Sequence, residues 1–497
     1  MNYPVWEPFL SNSLLIAIVA ILHVFVSHFA VGGGLYLVLA EIWARKKNDE
    51  QHKKYLVKHS KFFALTTLVF GAASGVGIWV TIGLIHPTGT KWLINNFVWG
   101  WATEWVFFFV EITAALMYYY GWQKLKASTH LAIGWIYFIA AWLSLVIING
   151  ILTFMLTPGE WITTGNFWDG FFNPTYWPST LFRTCIALIL AGLFATFSVA
   201  KEKDKDLRAR IMRRNGLFII VPLVLAIPIG WWHYKALPDA IIATLLPGSV
   251  QLLALQVMIF AAGLLFVLTL LSNIIFPRHT GYVSAAVLML CGLMAMGGFE
   301  WSREALRKPF VIYGFLYSNN LLVSQEANLP PEAPLAIDYS TGDRGHDIYL
   351  SQCRSCHTLN GYKALAPKLA GVDEAYIAQI IPRLHHYTGK MPPFAGNEED
   401  AAALAVYLTA HKAEDPISVH PMMPDWEKAQ IVFNRRCGGC HTMTGFRPLN
   451  DTFTDMSAEE ASEVILALQD LTEEMPEFTG DEEELRLLIL HLTGGAD

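Results

Sequence analysis

Charge is scarce in this chain of 497 residues. Asp, Glu, Lys and Arg make up 15% of it, against roughly 25% in soluble domains. The deficit is uneven: the apolar excess lies before residue 300, and charge and proline become frequent after it. Length alone allows about three domains, and this composition divides them into an apolar and a polar part. No basic stripe is present and the net charge is -7, which argues against nucleic acid as a partner. Basic residues are also missing ahead of the first apolar run, which is too long for a signal-peptide core, so it reads as an uncleaved first span. Cysteine is sparse, with six in all. Cys185 and Cys291 sit in apolar runs and read as inert packing residues. The other four belong to a repeated motif.

What is abundant is apolar runs of about 20 residues, the length that crosses a bilayer as a helix. Eight occur, near 12–44, 62–85, 98–121, 131–156, 180–200, 216–234, 249–275 and 281–300. Eight in series cannot all be core helices of one soluble domain. Lys and Arg crowd the connections after the first and fifth runs, with Lys124 and Lys126 after the third and Arg278 after the seventh; the intervening connections hold only Lys91 and Lys235. The positive-inside bias then predicts cytoplasmic odd-numbered connections and an outside N-terminus. An even span count puts everything after residue 300 outside as well. His23, His28, Glu104, Glu111 and Arg183 lie within or beside these runs. Ionisable groups in a membrane default to a functional site. The plainer alternative is that the histidines bond neighbouring helices and that Glu104 caps the third span.

After the eighth run, Leu329-Pro330-Pro331-Glu332-Ala333-Pro334 reads as an extended linker. Then come Cys353-Arg354-Ser355-Cys356-His357 and Cys437-Gly438-Gly439-Cys440-His441. In this motif two thioethers hold a haem and the histidine ligates its iron. A zinc site would draw on the same cysteine pairs. The spacing favours haem: the first cysteines are 84 residues apart, and Met391 and Met475 each follow their motif histidine by 34 residues. The segment Leu404–Thr409 returns as Leu488–Thr493 under the same shift. A repeat that preserves both candidate axial ligands is hard to read as packing. His/Met ligation raises a haem's potential, which suits an electron carrier. His385 and His386 are alternative sixth ligands at the first site. From residue 451 on, fourteen residues are acidic and one, Arg486, is basic; the run Asp481-Glu482-Glu483-Glu484 reads as a helix start, and the wider excess as a surface for a basic redox partner.

Residues 340 to 495 resemble two class I cytochrome c domains, on the helix before each motif, the Pro367 loop, the Met-Pro turns and the final helices. The apolar half resembles cytochrome bd quinol oxidase subunit I. The matching segments are Leu22-His23-Val24-Phe25-Val26, Phe70–Gly75, Glu104–Glu111 and Trp301–Phe310. The resemblance implies that His23 is a haem ligand and that Glu104 and Glu111 flank the oxygen-reactive site. It also has gaps. The glutamate pair is one residue closer than in the family. Arg183 stands where the family has a haem b-ligating histidine. The family's glutamate ligand after its Pro-Trp pair is absent near Gly314-Phe315. The large quinol-binding loop is missing, because the connection at 235–248 is short.

These readings predict an all-α chain: an eight-helix transmembrane bundle followed by two small cytochrome c domains. The expected organisation is a membrane domain at 1–317, a linker at 318–340, a first c domain at 341–414, a linker at 415–425 and a second c domain at 426–497. The expected cofactors are two covalent haems c at Cys353, Cys356, His357, Met391 and at Cys437, Cys440, His441, Met475. One or more non-covalent haems b or d are expected at His23, Glu104 and Glu111, with quinone as a further candidate. The predicted function is electron transfer in a respiratory oxidoreductase of the quinol, cytochrome c or oxygen class. It would lie in a bacterial inner membrane with both termini periplasmic. Its partners would be a bd subunit II-like chain or a second similar subunit, a periplasmic redox protein, and lipid. The alternative is a non-enzymatic membrane anchor and electron wire within a larger respiratory complex.

Overall fold

A computed structural model describes residues 10–333, 340–387, 391–445, 447–472 and 474–494. Pro334 of the linker, Gly389 and Lys390 of the Met391 segment, and the first nine residues lie outside these. The chain divides into two compact units, one of residues 16–83 and 89–307, the other of 1–15, 84–88 and 308–497.

Among the described residues, eight helices are long and apolar enough to cross a membrane: α1 (Asn12–Lys46), α2 (Glu50–Ile85), α3 (Val98–Gly121), α4 (Ala127–Phe154), α5 (Tyr176–Val199), α6 (Lys205–Lys235), α7 (Val250–Ile275) and α8 (Tyr282–Arg307). The count agrees with the sequence reading, and the chain is a multi-pass membrane protein. Several helices start earlier than their apolar runs. α2 begins where Asp49 accepts the His52 N–H, and α6 where Asp204 accepts the N–H groups of Asp206 and Leu207. Side-chain caps satisfy N–H groups that a helix start leaves unpaired. Lys53, Lys54, Lys58 and Lys61 therefore stand on α2 rather than in a loop.

α5 is the central helix of the membrane unit, with Arg183, Leu190 and Leu193 fully buried. Phe29 of α1 stacks on its Phe194 at 3.9 Å between ring centroids. Asn149 of α4 donates to Thr180 Oγ1 at 2.8 Å, and Asn273 of α7 to Thr196 Oγ1 at 2.9 Å. Interhelical bonds of this kind contribute about 0.6 kcal/mol each in a membrane bundle, so close packing around α5 does most of the holding. α2 and α7 each contain a π-helical turn, at Thr66–Gly71 and Leu270–Ile275. Such insertions mark functional positions often, and the first ends three residues before Ser74.

In the second unit a short hairpin, β1 (Phe310–Ile312) and β2 (Leu316–Tyr317), is followed by helices in two similar sets. The first set is α9 (Arg344–Ile348), α10 (Glu374–Ile380) and α11 (Glu398–Ala410); the second is α12 (Asp425–Arg436), α13 (Ala458–Leu466) and α14 (Glu482–Leu492). The 84-residue repeat of the sequence returns in three dimensions. α10 and α13 start 84 residues apart, as do α11 and α14, and the lone bridge Thr358–Ala364 is repeated as Thr442–Pro448. Each set has its own core, one around Ile348, Tyr376 and Leu404 and the other around Val432, Phe453 and Leu488. The acidic run also has a local role, since Asp481 caps α14 by accepting the Glu484 N–H.

Candidate functional site

The two Cys-x-x-Cys-His segments fold alike. The N–H groups of Cys356 and His357 both reach the Cys353 carbonyl, at 3.1 and 2.9 Å, and those of Cys440 and His441 reach the Cys437 carbonyl at 3.0 and 2.9 Å. This tight turn sets the histidine beside the cysteine pair. Each histidine is then oriented the same way. His357 Nδ1 donates to the Lys363 carbonyl and His441 Nδ1 to the Arg447 carbonyl, both at 3.0 Å. A donor bond at one ring nitrogen fixes the tautomer and leaves Nε2 with the lone pair that binds metal. Burial, with help from the charges of Lys368 and Lys363, lowers the His357 pKa to about 4, so its ring is neutral at physiological pH. Burial pushes the thiols of Cys353 and Cys437 up to about 12. A half-buried cysteine pair beside an oriented imidazole fits what haem c attachment needs, two thiols for the thioethers and one nitrogen for the iron.

Met391 lies in the extended stretch before α11, and Met475 in a turn where its N–H donates to the Thr472 carbonyl at 3.2 Å. Both are half-buried. The alternative ligands at the first site are occupied differently: the rings of His385 and His386 lie 3.8 Å apart, and His386 Nδ1 is 3.6 Å from a carboxylate oxygen of Glu474.

In the membrane unit, His23 of α1 meets the small-residue stretch of α2. Its Nδ1 lies 3.1 Å from Ser74 Oγ. That hydroxyl donates to the Phe70 carbonyl at 2.7 Å, so the imidazole is the donor and Nε2 keeps its lone pair. Gly75 makes room for the ring, since a Cβ there would lie 3.2 Å from His23 Cε1. Two segments that the sequence reading treated separately are thus one site, and Ser74 is the residue it missed.

Glu104 and Glu111 stand on one face of α3, two turns apart. Ser144 of α4 donates to Glu104 Oε1 at 3.1 Å. His23 and Glu104 are therefore held by different neighbours, on α2 and α4. Ser144 was detectable as a polar residue inside an apolar run.

Arg183 is buried and pairs with Glu300 of α8 at 2.7 Å, Glu300 in turn pairing with Arg303 at 3.1 Å. An arginine side chain stays protonated in proteins, so Arg183 cannot act as a haem ligand; it forms an ion pair instead. A buried arginine demands a counter-ion, and Glu300 is the acid of the eighth span that supplies it. His28, the other histidine of α1, bonds the Val24 carbonyl through Nδ1 at 2.9 Å. His86 Nε2 lies 3.2 Å from the Ser318 carbonyl.

Residues 12–240 match the family model for cytochrome bd terminal oxidase subunit I. In fold, the chain resembles the bd oxidase from Geobacillus thermodenitrificans with a TM-score of 0.53 at 15% identity, over 61% of this chain and 88% of that one. The membrane region is a cytochrome bd subunit I-like domain. Residues 340–408 match the family model for cytochrome c oxidase, cbb3-type, subunit III. No curated protein matches the sequence. A bd-like domain joined to a cytochrome c domain makes this a membrane electron-transfer haem protein, set in the context of a membrane respiratory complex.

Proposed function

We propose that the chain is the haem c-bearing, bd-like subunit of a respiratory oxidoreductase. It exchanges electrons between two periplasmic haems c and a haem or quinone site in the membrane half. The favoured form is a bd-type terminal oxidase fed by cytochrome c in place of quinol, because the quinol-binding loop of the family is missing. The observation that carries the reading is the doubled motif, in which His357 and His441 are oriented by the same carbonyl bond and each leaves Nε2 for iron.

When bound, haem supplies the one-electron redox couple. The protein's part is to fix the ligands. Cys353 and Cys356, and Cys437 and Cys440, would form the thioethers; His357 with Met391 and His441 with Met475 would be the axial pairs. In the membrane, His23 would ligate a non-covalent haem b or d, and Glu104 and Glu111 would flank it. The partners in this reading are a subunit II-like chain or a second similar subunit, with a periplasmic redox protein. The membrane is a bacterial inner membrane with both termini outside.

Two covalent haems per chain are expected. A denaturing gel stained for haem, together with intact mass, measures this. A single haem or bound zinc overturns the reading. The Arg183–Glu300 pair favours a second reading, a non-enzymatic anchor and wire, because it removes one family haem ligand from the bundle.

A further inference from the structure

The two motifs have unlike surroundings. At the first, Cys356 Sγ lies 3.9 Å from Ser318 Oγ, in the segment that follows β2. At the second, the motif is docked on the first domain. A Cβ at Gly439, between the two cysteines, would lie 2.6 Å from Tyr387 Cζ, so only a glycine lets that ring approach. Tyr376 of α10 donates its hydroxyl to the Arg436 carbonyl at 2.6 Å, immediately before Cys437.

A charged clamp surrounds this contact. Arg435 and Arg436 end α12, and each side chain is only 4% exposed. Arg436 pairs with Asp373 of the first domain at 3.1 Å and with Glu484 of the second at 2.5 Å. Its guanidinium also lies 4.7 Å from the Tyr376 ring centroid. Thr479 donates to Asp373 at 2.6 Å, and the Glu477 N–H donates to Gln379 Oε1 at 2.8 Å. Ionic hydrogen bonds that converge from both sides onto buried guanidinium groups fix position far better than solvated surface pairs do. The interface is therefore a built joint rather than two beads on a flexible string.

We propose that this joint holds the two cytochrome c domains, and with them the two haem c sites, as one fixed pair. The proposal rests on both motifs carrying haem c. Haem c, bound at both sites, would supply a one-electron couple at each; the chain's own part is to hold the two sites in place. Glu484 of the acidic run belongs to the joint and not to an outer docking face.

The test uses the full chain with its haem content counted first. Two haems held close at a fixed angle give a bisignate circular-dichroism signal in the Soret band. Wild type is expected to show that couplet. Gly439→Val drives a side chain into Tyr387 and should abolish the couplet with both haems still attached. Adding Tyr387→Ala to that variant should restore it. Asp373→Arg, which lies outside both motifs and repels Arg436, should also abolish it. A two-haem wild type without a couplet, or a couplet unchanged in Gly439→Val and Asp373→Arg, overturns the proposal alone. Fewer than two covalent haems overturns it together with the functional reading beneath it.

Discussion

His357 and His441 illustrate what a single hydrogen bond decides. Each gives its Nδ1 proton to a carbonyl, Lys363 or Arg447, and so keeps the lone pair on the same nitrogen, Nε2. His23 arrives at the same state by a different partner, the Ser74 hydroxyl. Opposite the motif histidines, methionine sulfur is expected to raise each potential. Met391→Ala and Met475→Ala should therefore each lower the potential of one haem c while both thioethers keep the haem attached. A redox titration beside a haem stain reads both effects, and an unchanged titration would show that the methionine is not the ligand. Arg183 shows the opposite case. Its pairing with Glu300 is an arrangement in which losing one partner costs about 3–5 kcal/mol, because the other charge is left buried alone. That cost explains why both residues stay in a membrane bundle that has no use for exposed charge.

At the scale of elements, the helix count, the 84-residue repeat and the haem c motifs were all legible in the sequence, because each depends on local periodicity or spacing. The starts of α2 and α6 were not, since their first turns are lysine- and arginine-rich and lie outside the apolar runs. The Asp49 and Asp204 caps were the overlooked signal. The pairing of Arg183 with Glu300 and of His23 with Ser74 joins distant helices, and no local pattern encodes it. The joint between α10 and α12 is equally long-range. Its Asp373 carboxylate is raised by burial, but the Thr479 hydroxyl, the Tyr376 N–H and Arg436 together hold it below its ordinary value of 3.8. A depressed carboxylate stabilises the fold above its unfolded pKa and loses that contribution as pH falls through the folded one. The joint should thus hold at neutral pH and loosen below about pH 3.8. Amide protection factors over Tyr376–Ile380, which compare each exchange rate with the unfolded-chain rate at the same pH, should fall on acidification in wild type. In Asp373→Asn they should be low already at neutral pH and respond less to acid. Equal pH responses in the two proteins would assign the acid effect elsewhere.

On the scale of the whole molecule, the chain joins a bd-like membrane unit to a unit that bears two haem c motifs. Its membrane half carries His23, Glu104 and Glu111, and a buried Arg183 paired with Glu300. Whether it carries redox chemistry or serves only as an anchor depends on one quantity, the non-covalent haem content. The pyridine haemochrome spectrum of the purified full chain measures it directly, because covalent haem c and extractable haem b or d absorb at different positions. Two haems c and at least one non-covalent haem are expected in wild type, and the non-covalent haem should be lost in His23→Ala with the haem c content unchanged. Haem c alone in wild type, or full non-covalent haem in His23→Ala, would contradict a haem site at His23, and the first of these would leave the membrane half as an anchor for the wire.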